Sequence, residues 1–150
     1  MKKLAKYALK ANLMNIQIRF AGEVFKFNLY EELVINENII NDELKSQPSI
    51  SGFLGTLLVK LDRIKKDKEA ELNKKYNRLF VKYKGKITNS GRPPSDDLAK
   101  SMVISNSGYQ KLLSEYLQAE ENANTIKACS NAFQERSYLI QTLSANIRND

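Results

Sequence analysis

The sequence predicts a mainly α-helical protein. The expected fold is a long antiparallel helical hairpin with a short connecting helix, preceded by a small N-terminal β-hairpin and short-helix segment. Three observations carry this. Between Ser49 and Lys86 apolar residues recur at helical spacing: Ile50, Leu54, Leu57, Leu61 and Ile64, then more weakly Leu72, Tyr76, Leu79 and Tyr83, with Lys68 in the seam. From Tyr109 to about Arg148 a second stripe runs through Leu112, Tyr116, Ala119, Ala123, Ile126, Phe133 and Ile140, flanked by Leu139, Leu143 and Ile147. Between them lies a clear loop, residues 85–95, with Gly85, Asn89, Gly91, Pro93 and Pro94. Two long helices joined by so short a connection fold back antiparallel.

In chain order, residues 2–14 form a basic amphipathic segment with Leu4, Tyr7, Ala8, Ala11 and Met14 on one side. It reads as a terminal helix, or as a second basic arm. Residues 15–28 change period. Ile16, Ile18 and Phe20 alternate with polar neighbours, as do Phe25 and Phe27, around Ala21-Gly22, which predicts a β-hairpin. Residues 29–47 are acidic on balance, with a short helix expected between Glu37 and Lys45. Pro48 then suits the first turn of the long helix, with Ser46 or Ser49 as its cap. That helix, to about Lys84, would span ~50 Å at ~1.5 Å per residue. Ser95-Asp96-Asp97 restarts a helix with a cap and two acids near its N-terminus, and Asn106-Ser107-Gly108 ends it after Ile104. Ala119, Ala123, Ala128 and Ala132 permit close helix approach in the second long helix. The expected organisation is one domain, with residues 1–47 as a docking and oligomerisation segment and 48–150 as the hairpin.

Charge is the main functional signal. The chain carries 24 Lys and Arg against 17 Asp and Glu, a net +7. Between Lys60 and Arg92 there are 12 basic residues and 4 acids, so the excess lies on one element and its exit loop. A pI of 9.4 points to a polyanionic partner. Histidine is absent, which removes the commonest general base and metal ligand. The single cysteine, Cys129, sits in an apolar helical pattern and reads as a small core residue; it offers neither an internal disulfide nor a cysteine-based zinc site. This fits a reducing cytoplasm. Lys6 and Lys10 interrupt the first apolar run, so no signal peptide is expected, and no stretch reaches the ~18 apolar residues of a membrane span. A Walker A loop and a calcium loop are also missing. The acid pairs Glu31-Glu32, Asp96-Asp97 and Glu120-Glu121 read as helix starts or solvated faces. The expectation is a protein that is not an enzyme and needs no cofactor or metal.

The candidate site is a basic cluster late in the first long helix and in its exit loop: Lys74, Lys75, Arg78, Lys82, Lys84, Lys86 and Arg92. Lys75, Arg78 and Lys82 share a helix face. Tyr76, Phe80 and Tyr83 interleave with them. Basic groups track a phosphate backbone, and aromatic rings stack unpaired bases without sequence preference, which makes Tyr76 and Tyr83 candidate DNA contacts. The bland alternative puts these aromatics in the core and the lysines on a solvated face.

From about Ile35 to Arg148 the chain resembles the UvsY-like recombination mediator proteins of tailed bacteriophages. The likeness lies in the order of features: an acidic I-N-E-N-I segment, a Pro48-Ser49 opening, and a Lys-rich helix ending in Tyr83-Lys84-Gly85. A Gly-containing loop to Asp96-Asp97 follows, then a last helix carrying Ala132, Phe133 and Arg136. The 15–28 segment departs from that pattern. The resemblance implies a helical, ring-forming homo-oligomer in the host-cell cytoplasm that binds single-stranded DNA. It implies loading of a RecA-like recombinase onto DNA occupied by single-strand binding protein. No membrane partner is expected; binding to a membrane surface through residues 2–14 is the weaker alternative. The matching basic neighbourhood is Leu72 to Arg78. The competing expectation is a non-enzymatic helical adaptor or scaffold, such as a phage assembly factor, whose basic face meets an acidic protein. In either case residues 15–47 look short of cover, so they are expected to dock on a neighbouring subunit and help close a cyclic oligomer.

Overall fold

A computed structural model of the protein describes residues 15–20, 22–88 and 91–149. The basic segment 2–14 lies outside the described residues. The order of elements is β1 (Asn15–Phe20), β2 (Glu23–Asn28), α1 (Leu29–Leu33), a 3-10 turn (Glu37–Ile39), α2 (Ile40–Lys84), α3 (Asp96–Ile104) and α4 (Ser107–Asn149). The chain divides into two compact units. Unit one takes the chain up to Val59 and from Asn124 onward; unit two is Lys60–Ala123. Each long helix contributes a segment to each unit.

Unit one begins with the hairpin. β1 and β2 pair antiparallel from Asn15↔Asn28 to Phe20↔Glu23, and Gly22 supplies the positive φ of 83° that the two-residue connection needs. The alternation sorts the faces: Asn15, Gln17 and Arg19 are exposed, while Ile18 is buried and Ile16 and Phe20 are half-buried. Ile18 pairs with Phe25, whose ring meets Phe53 of α2 at 6.2 Å. Asn28 ends the strand and caps α1. Its Oδ1 accepts from the Tyr30 and Glu31 amides, and its Nδ2 donates to Asn15.

Two sequence expectations need correction here. The short helix and the long helix are one element, and Pro48 lies inside it rather than at its start. Ser46 does not cap: its hydroxyl donates back to the Glu43 carbonyl at 2.9 Å. A proline there removes one amide donor and crowds the preceding turn. The packing of the turns before it outweighs that cost. Ile40 is buried, and Glu43 is held by Arg136 of α4. Arg136, only 6% exposed, also donates from Nε to the Leu33 carbonyl and from Nη2 to the Val34 carbonyl. One guanidinium thus ties the end of α1, the strap after it and the start of α2 to α4. Within the chain, the 29–47 segment is anchored through these contacts to Arg136. Around this anchor the core of unit one is Leu54, Leu57, Ile126, Cys129, Phe133 and Ile140. Burying each large side chain contributes roughly 1.5–3 kcal/mol. Phe27, Phe53, Phe133, Ile50 and Leu54 line an apolar cavity of about 370 Å³ in this unit.

Unit two is built on the same seam with a different filling. Leu61, Leu72 and Leu79 of α2 and Ala119 and Ala123 of α4 are buried, and α3 contributes Ala99 and Val103, both fully inaccessible. Ile64, expected in the stripe, is 37% exposed. Counting four on from Leu61 gives Lys65, then Lys68, then Leu72, so lysines occupy two successive inward positions. Ser95 caps α3 by accepting from the Leu98 amide, as its position before Asp96-Asp97 predicts. Asn106 caps α4 through Oδ1, which accepts from the Tyr109 amide. Ion pairs Lys65–Glu120 and Lys68–Glu115, and the Tyr76–Tyr109 ring contact, fix an antiparallel register of α2 on α4 within this unit. Among the described residues no helix is long and apolar enough to cross a membrane.

Candidate nucleic-acid interface

Unit two contains 14 Lys and Arg against 9 Asp and Glu. The fold divides these basic residues into two groups. The first group is used internally. Lys65 Nζ lies 3.1 Å from Glu120, which also accepts from the Tyr116 hydroxyl. Lys68 Nζ lies 2.8 Å from Glu115 and 3.1 Å from Glu71. These contacts have mutual electrostatic consequences. The lysine hydrogen bonds hold the Glu115 and Glu120 carboxyls below the ordinary range, and the same bonds raise both ammonium groups. Lys84 donates to the Pro94 carbonyl at 2.9 Å and pairs with Asp96 at 2.8 Å, tying the end of α2 to the start of α3. That bond also depresses the Asp96 carboxyl. Lys84, a candidate DNA contact by sequence, is therefore a structural tie in this fold.

The second group faces solvent. Lys74, Arg78 and Lys82 are exposed at i, i+4 and i+8 on α2 and make no ion pair among the described residues. Successive members are offset by only ~40° around the helix, so they form a narrow ridge about 12 Å long. Lys75 departs from the face assigned to it. It is half-buried, and its ammonium lies so close to Gly108 that a Cβ there would stand 3.3 Å away. The ridge thus runs through Lys74 rather than Lys75.

In the exit loop, hydrogen bonds tie Thr88 to Gly91 and Arg92. The Thr88 amide and hydroxyl both donate to the Arg92 carbonyl, and the Gly91 amide donates to the Thr88 carbonyl with Gly91 at φ 75°. Arg92 is thus tied to Thr88 through its backbone carbonyl, and the residue is exposed. Lys86 is also exposed, with its Nζ 5.4 Å from the centre of the Tyr83 ring. Tyr83 is half-buried, and its hydroxyl accepts from Asn106 Nδ2 at 3.1 Å. Tyr76 has a different setting: its ring stacks on Phe80 at 6.1 Å and meets Tyr109 edge-on at 6.0 Å. Its aromatic contacts lie within the hairpin.

The sequence takes Asn106 for a helix break and Glu120 for a solvated face and gives no sign of Glu115, yet Asn106 anchors Tyr83 and the two glutamates take up Lys65 and Lys68. Glu115 and Glu120 could have been found by following the seam, because two lysines at inward positions demand carboxylates on the facing helix. Among the described residues no group of three or more His, Cys, Asp or Glu could hold a metal ion. No family model matches the chain, and no curated protein or solved structure matches it.

Proposed function

We propose that the protein is a non-enzymatic mediator that binds single-stranded DNA without sequence preference and loads a RecA-like recombinase in phage recombination and repair. The observation that carries the DNA-binding part is the exposed ridge Lys74, Arg78 and Lys82, extended by Lys86 and Arg92. Lys65, Lys68 and Lys84 pair with Glu120, Glu71, Glu115 and Asp96, while no ion pair among the described residues takes a ridge side chain, so the ridge keeps positive charge for a phosphate backbone. Recombinase loading, displacement of single-strand binding protein and a cyclic homo-oligomer rest on the resemblance to UvsY-like mediators. In a ring, copies of the ridge would add through avidity, so weak phosphate contacts would suffice.

The test is salt-dependent binding to oligo-dT. Changing Lys74, Arg78 and Lys82 together to Ala should flatten the plot of log affinity against log salt by about 2 units, at ~0.7 per phosphate on a single strand. An unchanged slope would remove the ridge from the interface. The adaptor reading uses the same charge for an acidic protein surface. It gains ground if the purified chain shifts no single-stranded DNA near physiological salt.

A further inference from the structure

The cluster treats its two candidate tyrosines differently, and this deepens the DNA-binding reading, on which it rests. We infer that Tyr83 is the residue that distinguishes an unpaired strand from a duplex, and that Lys86 is a displaceable cover over its ring.

Tyr83 is anchored at one end and covered on one face. Asn106 Nδ2 holds its hydroxyl at 3.1 Å, which fixes the ring at the end of α2. Lys86 follows one turn later in the exit loop, where its amide donates to the Tyr83 carbonyl and its ammonium lies over the ring. Both residues follow the ridge closely along the chain: Lys82 is the residue before Tyr83, and in the same exit loop the Arg92 carbonyl is tied to Thr88. Tyr76 cannot substitute without loss, because taking a base would cost it ring contacts with Phe80 and Tyr109.

An exposed lysine's ammonium over a half-buried ring is a weak, water-competed contact. A strand brings both components of a better arrangement. Its phosphate attracts the Lys86 ammonium, and an unpaired base takes the ring face that Lys86 leaves. Lys86 then exchanges one favourable partner for another, while Tyr83 exchanges a cation for a base. A duplex offers the phosphate but keeps its bases stacked, so it gains only the first half. The ridge supplies affinity for any phosphate chain, and Tyr83 supplies the preference for single strands.

The experiment compares oligo-dT with an abasic strand of equal length, which carries the same phosphates and no bases. The native chain should bind oligo-dT roughly tenfold more tightly, the scale of one stacked base. In Tyr83→Leu that ratio should fall to about one with the salt slope unchanged. Tyr83→Phe loses only the Asn106 hydrogen bond and should keep the ratio, which separates stacking from damage to the fold. Lys86→Ala should keep or raise the ratio while lowering the slope by about 0.7, the share of one phosphate contact. A ratio that survives Tyr83→Leu overturns the inference and leaves the ridge in place, as does equal binding of both strands by the native chain. Binding of neither strand at low salt overturns the inference together with the DNA-binding reading.

Discussion

In unit one, α2 and α4 enclose an apolar interior with one ion pair inside it, Arg136–Glu43. In unit two the same helices meet across lysines and glutamates that are about one-third to two-fifths exposed. The difference shows that the location of a charge decides its work. A buried guanidinium with three oxygen acceptors organises a whole segment, because it joins three separate stretches of chain to α4. Half-exposed lysine–glutamate pairs each contribute little to stability. They set register and neutralise acids, and they leave the excess charge of unit two on its outside, where a polyanion can reach it.

The largest effect expected from breaking this contrast is at Arg136. Arg136→Ala strands the Glu43 carboxylate and the Leu33 and Val34 carbonyls, and removing one partner of a buried pair costs about 3–5 kcal/mol. Denaturant melts should show that loss. Replacing both partners, with Arg136→Met and Glu43→Leu, should recover much of it. Equal damage from the single and double changes would mean that packing, not charge, anchors the strap. Cys129 offers a local reporter. It is buried in unit one, and burial holds its thiol above the ordinary range, so native labelling should be slow and should quicken in Arg136→Ala.

Next in size, and opposite in sign, is Pro48. An alanine at that position restores an amide donor inside a continuous helix, so Pro48→Ala should stabilise the protein by up to about 3 kcal/mol. If the chain were two helices hinged at residue 48, as the sequence alone suggests, the change would be neutral or harmful.

How far the sequence could be read follows from the same physics. The hairpin over 15–28, the cap at Ser95, the break after Ile104 and both long stripes were legible because each is local: alternation, a capping side chain, a 3.6-residue period. The continuity through Pro48 was not legible, since local rules place proline at a helix start, and only the burial of Ile40 and the hold of Arg136 on Glu43 override them. The candidate cluster was legible as a concentration of charge. Its division was not: Lys84, Lys74 and Lys82 look alike until Pro94 and Asp96 claim the first. Tyr76 and Tyr83 likewise differ only through partners on α4, Tyr109 and Asn106, that no spacing rule pairs with them.

The smallest expected effect tests the half-exposed pairs of unit two through pH. Glu115, Glu120 and Asp96 have their carboxyls lowered, first of all by lysine hydrogen bonds. A group whose pKa falls on folding contributes stability above its unfolded value and loses it as the pH drops through the folded one. Their contribution is therefore complete at neutral pH and fades below about pH 4, where unfolded Glu and Asp take up protons. Lys65 and Lys68 are raised, so their share is complete below about pH 10 and is lost as the pH climbs through the folded values. Glu115→Gln removes one titrating partner while keeping a side chain of the same shape. It should narrow the gap in melting temperature between pH 7 and pH 3.5 relative to the native chain, and leave the salt slope of the proposed DNA binding untouched. An unchanged gap would show that the Lys68–Glu115 pair is ornamental in solution, and that the apolar seam residues Leu61 and Leu72 set the register without it.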